Sequence, residues 1–228
     1  MSILRKVSVI LCCLFVIQLS QLNAQIHENS IPKKYLKEFT RFIDEEKKGI
    51  DTTNLVVFIG SSTFTMWNNL QSHFPTSNVL NRGFGGSKLT DVINYADQIL
   101  YPYKPKQVVL YEGDNDLGSG IKPDDLLSDL KVFVRMTEIK LPGVPVVLLS
   151  VKYSPKRHKN KDKITEFNAK MKDYASTKPQ LKYVDIAPIT LNADGTYKRK
   201  LYMADTLHVN QACYNLYAQK IEPFLLKK

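Results

Sequence analysis

The apolar positions of the chain fall into two patterns, and their alternation predicts the fold. Nearly continuous apolar runs, typical of strands buried on both faces of a parallel sheet, occur at 55–59, 79–80, 108–111, 144–149 and 183–186. Between these runs, apolar residues recur at helical spacing in the stripes 35–43, 126–134 and 164–174. Strands that alternate with helices predict right-handed crossovers and a three-layer α/β/α domain.

Proline and asparagine mark two of the predicted helices. Pro123 suits the first turn of a helix that should stop after Lys140. Asn210 is the predicted N-cap of the final helix, which Pro223 should end.

Four short polar motifs lie between these elements. They are Gly-Ser-Ser at 60–62, Asn-Arg-Gly-Phe-Gly-Gly at 81–86, Gly-Asp-Asn-Asp at 113–116 and Asp-Thr-Leu-His at 205–208. The first three motifs each close an apolar run, and the fourth precedes the last helix. Ligands of open α/β sheets bind beyond the carboxyl ends of the strands, so we expect Ser62, Gly86 and Asn115 to meet at one edge of the sheet.

The N-terminal segment predicts where the protein goes rather than how it folds. A basic start at Arg5 and Lys6, an apolar core at 7–19 and a small residue before the cut match a secretory signal peptide. A retained membrane anchor is the alternative, but the apolar core is shorter than the ~20 residues that a transmembrane helix needs. We therefore expect a signal peptide at 1–24, a single domain at 25–228, export to the periplasm or beyond, and no stable membrane insertion after cleavage.

Charge and cysteine content narrow the choice of partners only slightly. The 228-residue chain has a formal net charge of +10, and this falls to +8 when Arg5 and Lys6 leave with the signal peptide. Such a charge favours anionic substrates, nucleic acid or membrane surfaces, or is a solvated face, which we take as the default. Cys12 and Cys13 also leave with the signal peptide, so Cys213 stands alone and no intrachain disulfide is expected.

The four motifs resemble the sequence blocks of the SGNH (GDSL) hydrolase superfamily. Ser62 stands at the nucleophile position of the first block, Gly86 matches the glycine of the second, and Asn115 matches the asparagine of the third. Asp205 and His208 stand at the two ends of the Asp-x-x-His block. The resemblance is to exported bacterial members, and it implies a flavodoxin-like fold of about five parallel strands and ester hydrolysis without a metal.

The first block departs from the family pattern at Ser61, where aspartate is usual, so two adjacent serines compete for one role. Alignment favours Ser62, and so does its predicted place at the start of a short helix over 63–70. We expect Ser61 to hydrogen-bond the local backbone, as serines in turns do. The chain lacks a Gly-x-Ser-x-Gly elbow, which argues against the ordinary α/β-hydrolase fold.

Ser62, His208 and Asp205 are the candidate catalytic triad. A serine hydroxyl is a poor nucleophile at neutral pH, so a base must remove its proton as it attacks a carbonyl. His208 is the candidate base. Asp205, on the same side of a predicted helical turn, can accept the other imidazole proton and fix the tautomer.

The resemblance also implies the donors that stabilise the oxyanion of the tetrahedral intermediate. They are the backbone N–H groups of Ser62 and Gly86 and the side-chain amide of Asn115. Without the resemblance, Asn115 would be an ordinary turn residue. Arg82 and Asp116 are expected to brace these loops, with no assigned chemistry.

Other kinds of site are disfavoured by the sequence. The dinucleotide fingerprint Gly-x-Gly-x-x-Gly fails because Lys88 occupies its third glycine position. The sequence contains neither a Gly-Lys-Ser/Thr phosphate loop nor histidines and cysteines at zinc spacing, so we expect no cofactor and no metal. His27, His73 and His158 match no motif and are expected to be solvated or structural. Nucleic-acid binding is indicated only by the charge, and an export signal argues against it.

The substrate is predicted only as a class. Exported bacterial members of the superfamily often remove acetyl groups from sugars, so our first choice is a small-acyl, carbohydrate ester. The alternatives are a lysophospholipase or thioesterase and, from another class of function, a catalytically silent glycan-binding domain on the same fold. The basic loop 152–163 begins at the same sheet edge, where it either attracts a carboxylated polysaccharide or anionic lipid or is a solvated connection.

Overall fold

The computed structural model of the protein describes residues 31–228. The expected signal peptide and His27 lie outside this range. The strands are β1 (Leu55–Gly60), β2 (Asn78–Gly83), β3 (Gln107–Tyr111), β4 (Val146–Leu149) and β5 (Leu181–Val184). The α-helices are α1 (Leu36–Lys47), α2 (Ser62–Thr65), α3 (Leu70–His73), α4 (Leu89–Ile99), α5 (Asp114–Gly118), α6 (Pro123–Lys140), α7 (Lys161–Ser176) and α8 (Gln211–Ile221). Short 3-10 helices occupy Lys33–Tyr35, Tyr101–Tyr103, Pro155–Asn160, Ala187–Thr190, Arg199–Leu201 and Glu222–Phe224.

All five strands form one parallel sheet in the order β2-β1-β3-β4-β5. The chain moves from β1 to one neighbour, β2, and then returns across β1 to add β3 on the other side. The carboxyl ends of β1 and β3 therefore flank the point where the strand order reverses, which is where such sheets bind ligands. The predicted fold class is confirmed.

Both faces of the sheet are buried. Successive strand residues point to opposite faces, so alternate residues of β1 belong to two different hydrophobic clusters. Val57 and Ile59 belong to one hydrophobic cluster, with α1, α4, α6 and α7 packed over it. Val56 and Phe58 belong to a second cluster, which α2, α3 and α8 cover. No helix among the described residues is long and apolar enough to cross a membrane.

Several predicted helix ends are confirmed. The helix predicted from Pro123 to Lys140 has those bounds in α6. The side chain of Asn210 accepts a hydrogen bond from the Cys213 N–H and so caps α8, which ends at Ile221. The prediction of one short helix over 63–70 is wrong, because the chain turns between α2 and α3 to bury Trp67 between them.

Candidate active site

Ser62 lies on a tight turn between β1 and α2. Gly60, the last residue of β1, passes so close to the carbonyl of Tyr111 that a side chain there would overlap it. The Ser61 N–H donates to that carbonyl at 3.3 Å, which ties the turn to β3. Ser62 then begins α2, and its own N–H donates to no other described residue.

Ser61 is almost fully buried, in contrast to the partly exposed Ser62. Its carbonyl accepts hydrogen bonds from Phe64 at 3.0 Å and Thr65 at 3.2 Å. Its hydroxyl makes no hydrogen bond within the described residues, so the expected side-chain bond to the local backbone is not found. Ser61 therefore contributes to the turn through its backbone groups and not through its hydroxyl.

The three predicted triad residues come together beyond the carboxyl edge of the sheet. His208 Nε2 lies 3.1 Å from Ser62 Oγ, and His208 Nδ1 lies 2.5 Å from Asp205 Oδ2. The other carboxylate oxygen, Asp205 Oδ1, accepts the backbone N–H groups of Leu207 and His208, both at 3.0 Å. One oxygen of Asp205 therefore orients the imidazole while the other folds the loop that carries it.

The loop that carries Asp205 and His208 is not the helical turn that the spacing predicts. Thr206 has a φ of +58°, a left-handed conformation that is uncommon for threonine. The loop is closed instead by a short antiparallel contact, in which the Met203 N–H donates to the His208 carbonyl at 2.8 Å. The predicted proximity is found, but the local structure that produces it differs.

The carboxyl group of Asp205 remains ionised at all ordinary pH values. Desolvation acts to raise its pKa, but hydrogen bonds from the His208 ring and from the backbone of His208 and Leu207 lower the pKa to about 2. An ionised carboxylate on Nδ1 holds the proton at that nitrogen and leaves Nε2 free to accept one from Ser62. The side chain of Asp205 is 47% exposed and that of His208 19%, so the site is open to solvent.

The glycine loop at 83–86 packs against the end of β1. The Phe84 N–H donates to the Gly60 carbonyl at 2.8 Å. Gly86 has a φ of +76° with open space where a side chain would project, and its N–H donates to no other described residue. The left-handed conformation favours glycine there, and the unused N–H is available to a ligand.

Asn115, near the start of α5, contacts the residue that follows the glycine loop. Its Nδ2 donates one hydrogen to the Ser87 carbonyl at 2.9 Å, and its Oδ1 accepts from a terminal nitrogen of Arg157 at 3.4 Å. An amide nitrogen carries two hydrogens, so one hydrogen of Asn115 remains available. Ser62, Gly86 and Asn115 thus each retain a free N–H, as an oxyanion-binding site needs.

Two buried carboxyl groups support the glycine loop from below. Ser87 Oγ donates to Glu112 Oε1 at 2.5 Å, and the Leu89 N–H donates to Asp116 Oδ1 at 3.0 Å. Desolvation, together with the charge of Asp116, raises the pKa of Glu112 well above its ordinary value. Sequence reasoning missed Glu112. Its one signal in the sequence is that a charged residue directly follows the apolar run at 108–111.

Asp116 has the expected bracing contact, whereas Arg82 ties the end of β2 to α1 and to Tyr103. Arg82 is fully buried, where it forms an ion pair with Glu45 and donates to the Tyr103 hydroxyl at 2.9 Å. Asp116 fixes the first turn of α4 through Leu89. Among the described residues, neither side chain forms a hydrogen bond to Ser62 or His208.

The basic loop 152–163 is not solvated along its whole length, because its first residue is buried. Lys152 lies in the interior and forms an ion pair with Asp114. Desolvation acts to lower the pKa of Lys152, but the charges and hydrogen bonds of Asp114 and Tyr111 together outweigh it, and the pKa is raised. Arg157 also contacts Asp114, with 3.4 Å between Nε and Oδ1. Lys156 and Lys159 are the exposed cations of this part of the loop.

The remaining described histidines have structural partners at the surface. His73 contacts Asn215 at 2.8 Å and accepts from the Trp67 indole at 3.1 Å. His158 contacts the Tyr197 hydroxyl at 2.9 Å. Within residues 31–228, no three His, Cys, Asp or Glu side chains are grouped so that they could hold a metal ion.

The model of the GDSL-like lipase/acylhydrolase family matches residues 59–216, which is well over half of the chain. The chain belongs to this family. The match begins at the end of β1 and runs into α8, so it includes every candidate site residue. Membership confirms the prediction of an enzyme that hydrolyses ester bonds. A comparison with curated proteins found no match.

Solved structures share the fold of this GDSL family member. A Streptococcus pneumonia protein described as a platelet activating factor has a TM-score of 0.75 at 23% identity. The match covers 90% of this chain and 99% of that protein's chain. A GDSL-like lipase from Bacteroides thetaiotaomicron has a TM-score of 0.68 at 18% identity, over 81% and 95%. A variant of an acetyl-xylooligosaccharide esterase from Geobacillus Stearmophilus has a TM-score of 0.60 at 16% identity, over 73% and 91%. At these identities the likeness establishes the fold alone.

Proposed function

We propose that the protein is a serine esterase that removes small acyl groups, acetyl above all, from carbohydrate esters. One observation carries the proposal: His208 lies within hydrogen-bond reach of Ser62 Oγ on one side and of Asp205 on the other. A hydroxyl, a base and a carboxylate in this line are what covalent acyl transfer requires.

The reaction proceeds in two steps. Ser62 Oγ attacks the ester carbonyl carbon while His208 Nε2 takes the hydroxyl proton, and the same nitrogen then returns this proton to the departing alcohol. A water molecule attacks the resulting acyl-enzyme, again losing a proton to His208, and the carboxylic acid leaves as Ser62 regains its hydrogen. Asp205 stays ionised throughout and stabilises the imidazolium that forms in each step.

The negative oxygen of each tetrahedral intermediate is bound by three N–H groups. The donors are the backbone N–H groups of Ser62 and Gly86 and the second amide hydrogen of Asn115. None of these hydrogens is used by another described residue, so each is available without rearrangement. Loss of one such donor costs about 10²–10³ in turnover, and we expect this of Asn115→Ala.

A polar, hydrated substrate suits this site better than a long acyl chain. A long chain gains affinity by burial in an apolar channel, whereas Asp205 is almost half exposed and His208 partly so. An acetyl group needs little apolar surface, and a sugar tolerates a site open to water. The shared fold of the acetyl-xylooligosaccharide esterase is in keeping with this choice, and the wider alternatives of lysophospholipid and thioester are left to the assay.

The test uses an active-site label and a matched pair of serine variants. We expect a fluorophosphonate probe to label the protein, Ser62→Ala to abolish labelling and lower kcat by about 10⁴–10⁶, and Ser61→Ala to keep both. Labelling that survives Ser62→Ala but not Ser61→Ala would move the nucleophile by one residue. No labelling and no hydrolysis by the unaltered protein would favour the glycan-binding alternative.

The substrate assay compares acetyl, butyryl and octanoyl p-nitrophenyl esters, and then acetylated oligosaccharides with lysophospholipids. Preference for the acetyl ester and for acetylated sugars supports the proposal. Preference for the octanoyl ester and lysophospholipid would replace it with a lysophospholipase.

We further propose that residues 1–24 are a signal peptide and that 25–228 acts as a single exported domain. The support is the basic start and the apolar core of the N-terminal segment. Expression of the full chain in a bacterial host should yield protein outside the cytosol with Gln25 at its N-terminus. A full-length product in the cytosolic fraction would contradict this proposal.

A further inference from the structure

We propose that Arg157 is a positioning residue that fixes the direction of the Asn115 amide and so aims its free hydrogen at the oxyanion. The proposal rests on the oxyanion role proposed above for Asn115. With this role, the basic loop 152–163 would affect turnover by positioning Asn115. Neither of the two roles considered from the sequence, attraction of an anionic substrate or a solvated connection, includes such an effect.

The two ends of the Asn115 amide are held by opposite kinds of partner. Nδ2 donates to a carbonyl, that of Ser87, and Oδ1 accepts from a cation, Arg157. A rotated amide would face oxygen with oxygen at Ser87 and hydrogen with hydrogen at Arg157, so both contacts become repulsive. The pair of contacts therefore selects one of the two amide orientations. Without Arg157, only the single bond to Ser87 would favour it.

Arg157 is itself held in place by a buried ion pair and a glycine. Asp114 lies between two cations, with Lys152 in the interior and Arg157 Nε 3.4 Å away on the outer side. The Arg157 guanidinium rests directly on Gly118, the last residue of α5, where the methyl group of an alanine would overlap it. The side chain of Arg157 is only 25% exposed, because it lies against Gly118 and Asp114 instead of extending into water.

The arrangement provides two independent ways to remove the contact. Arg157→Ala deletes the guanidinium, and Asp114 keeps Lys152 as its partner, so no buried carboxylate is left without a cation. Gly118→Ala keeps every charge and pushes the guanidinium aside, because the atoms in the way are the far end of a flexible side chain. The backbone of Gly118 is not in the left-handed region, so alanine is not strained there.

The experiment is a double-mutant cycle with p-nitrophenyl acetate, a neutral substrate that offers no anionic group to an arginine. Arg157→Ala, Gly118→Ala and the control Lys159→Ala, an exposed cation of the same loop, are each made in the unaltered protein and in Asn115→Ala. Thermal unfolding of every variant identifies any that fails to fold, and kcat and KM are measured separately.

We expect Arg157→Ala and Gly118→Ala each to lower kcat by about 10- to 100-fold, with KM changed by less than about threefold. In the Asn115→Ala background the same two substitutions should have no further effect, because they act through the amide that is already absent. Lys159→Ala should match the unaltered protein in both backgrounds.

Three results would overturn the inference. The first is full kcat in Arg157→Ala, and the second is an equal loss of kcat on Arg157→Ala whether or not Asn115 is present. The third is a rise in KM with kcat unchanged, which would make Arg157 a substrate contact. If Asn115→Ala itself keeps full kcat, the oxyanion role of Asn115 fails and this inference falls with it. A large loss in Asn115→Ala with none in Arg157→Ala rejects the positioning role alone.

Discussion

Asp116 is expected to make the protein less stable as the pH rises towards neutrality. Desolvation raises the pKa of its buried carboxyl from the ordinary 3.8 to about 6, and the hydrogen bond from the Leu89 N–H only partly opposes this. Between these two values the folded protein retains a proton that the unfolded chain has released, so the free energy of unfolding falls with rising pH. At about 1.4 kcal/mol for each pH unit, the loss reaches about 3 kcal/mol once Asp116 ionises fully in the folded protein.

Asp116→Asn removes this penalty while it keeps an oxygen for the Leu89 N–H. Measured by urea unfolding, the variant and the unaltered protein should differ little at about pH 4, and the advantage of the variant should grow to about 3 kcal/mol by about pH 7.5. Asp173→Asn, an exposed control on α7, should show no such trend. A difference in stability between Asp116→Asn and the unaltered protein that stays constant from acid to neutral pH would refute the reasoning, because it would mean that Asp116 ionises at its ordinary pKa.

Three further substitutions or reagents test the surroundings of the site. Gly60→Ala should destabilise the fold by more than about 4 kcal/mol or prevent soluble expression, since the methyl group overlaps the Tyr111 carbonyl; a normal urea midpoint would contradict the close approach. Lys152→Met should cost about 3 kcal/mol in urea unfolding, because Asp114 loses its buried partner and keeps only the partly exposed Arg157. A loss below about 1 kcal/mol would show that the buried pair contributes little. The Cys213 thiol is buried, and desolvation raises its pKa to about 11. It should therefore resist a thiol reagent in the folded protein and react on denaturation. Rapid reaction in the folded protein would indicate local opening.

The sheet and the long helices were predictable because each has a simple repeating pattern. The apolar run at 108–111 is β3 almost residue for residue, and the stripe 126–134 lies within α6. The run at 183–186 misplaced β5 by two residues, because Ile186 is fully buried beyond the strand end. A buried residue in a loop has the same hydrophobic character as one in a strand, so the pattern alone does not separate them.

The site was predictable only where its residues carry a motif. Ser62, His208 and Asp205 were expected together and lie within hydrogen-bond distance. Lys152 and Arg157 were assigned to a basic loop, because a run of charges indicates solvent and their partner Asp114 is about forty positions away in the sequence. Pairing between distant segments is a property of the folded chain, and no local pattern reports it.

Ser62 and His208 are separated by 146 positions, and α8 follows His208. With this pair as nucleophile and base, a ribosome must extend the chain at least 146 positions beyond Ser62 before the first ester can be cleaved. The nascent chain is therefore inert until His208 has left the ribosome. In a refolding experiment, the return of hydrolysis would report when the segment that carries His208 docks against Ser62, and not when the sheet forms.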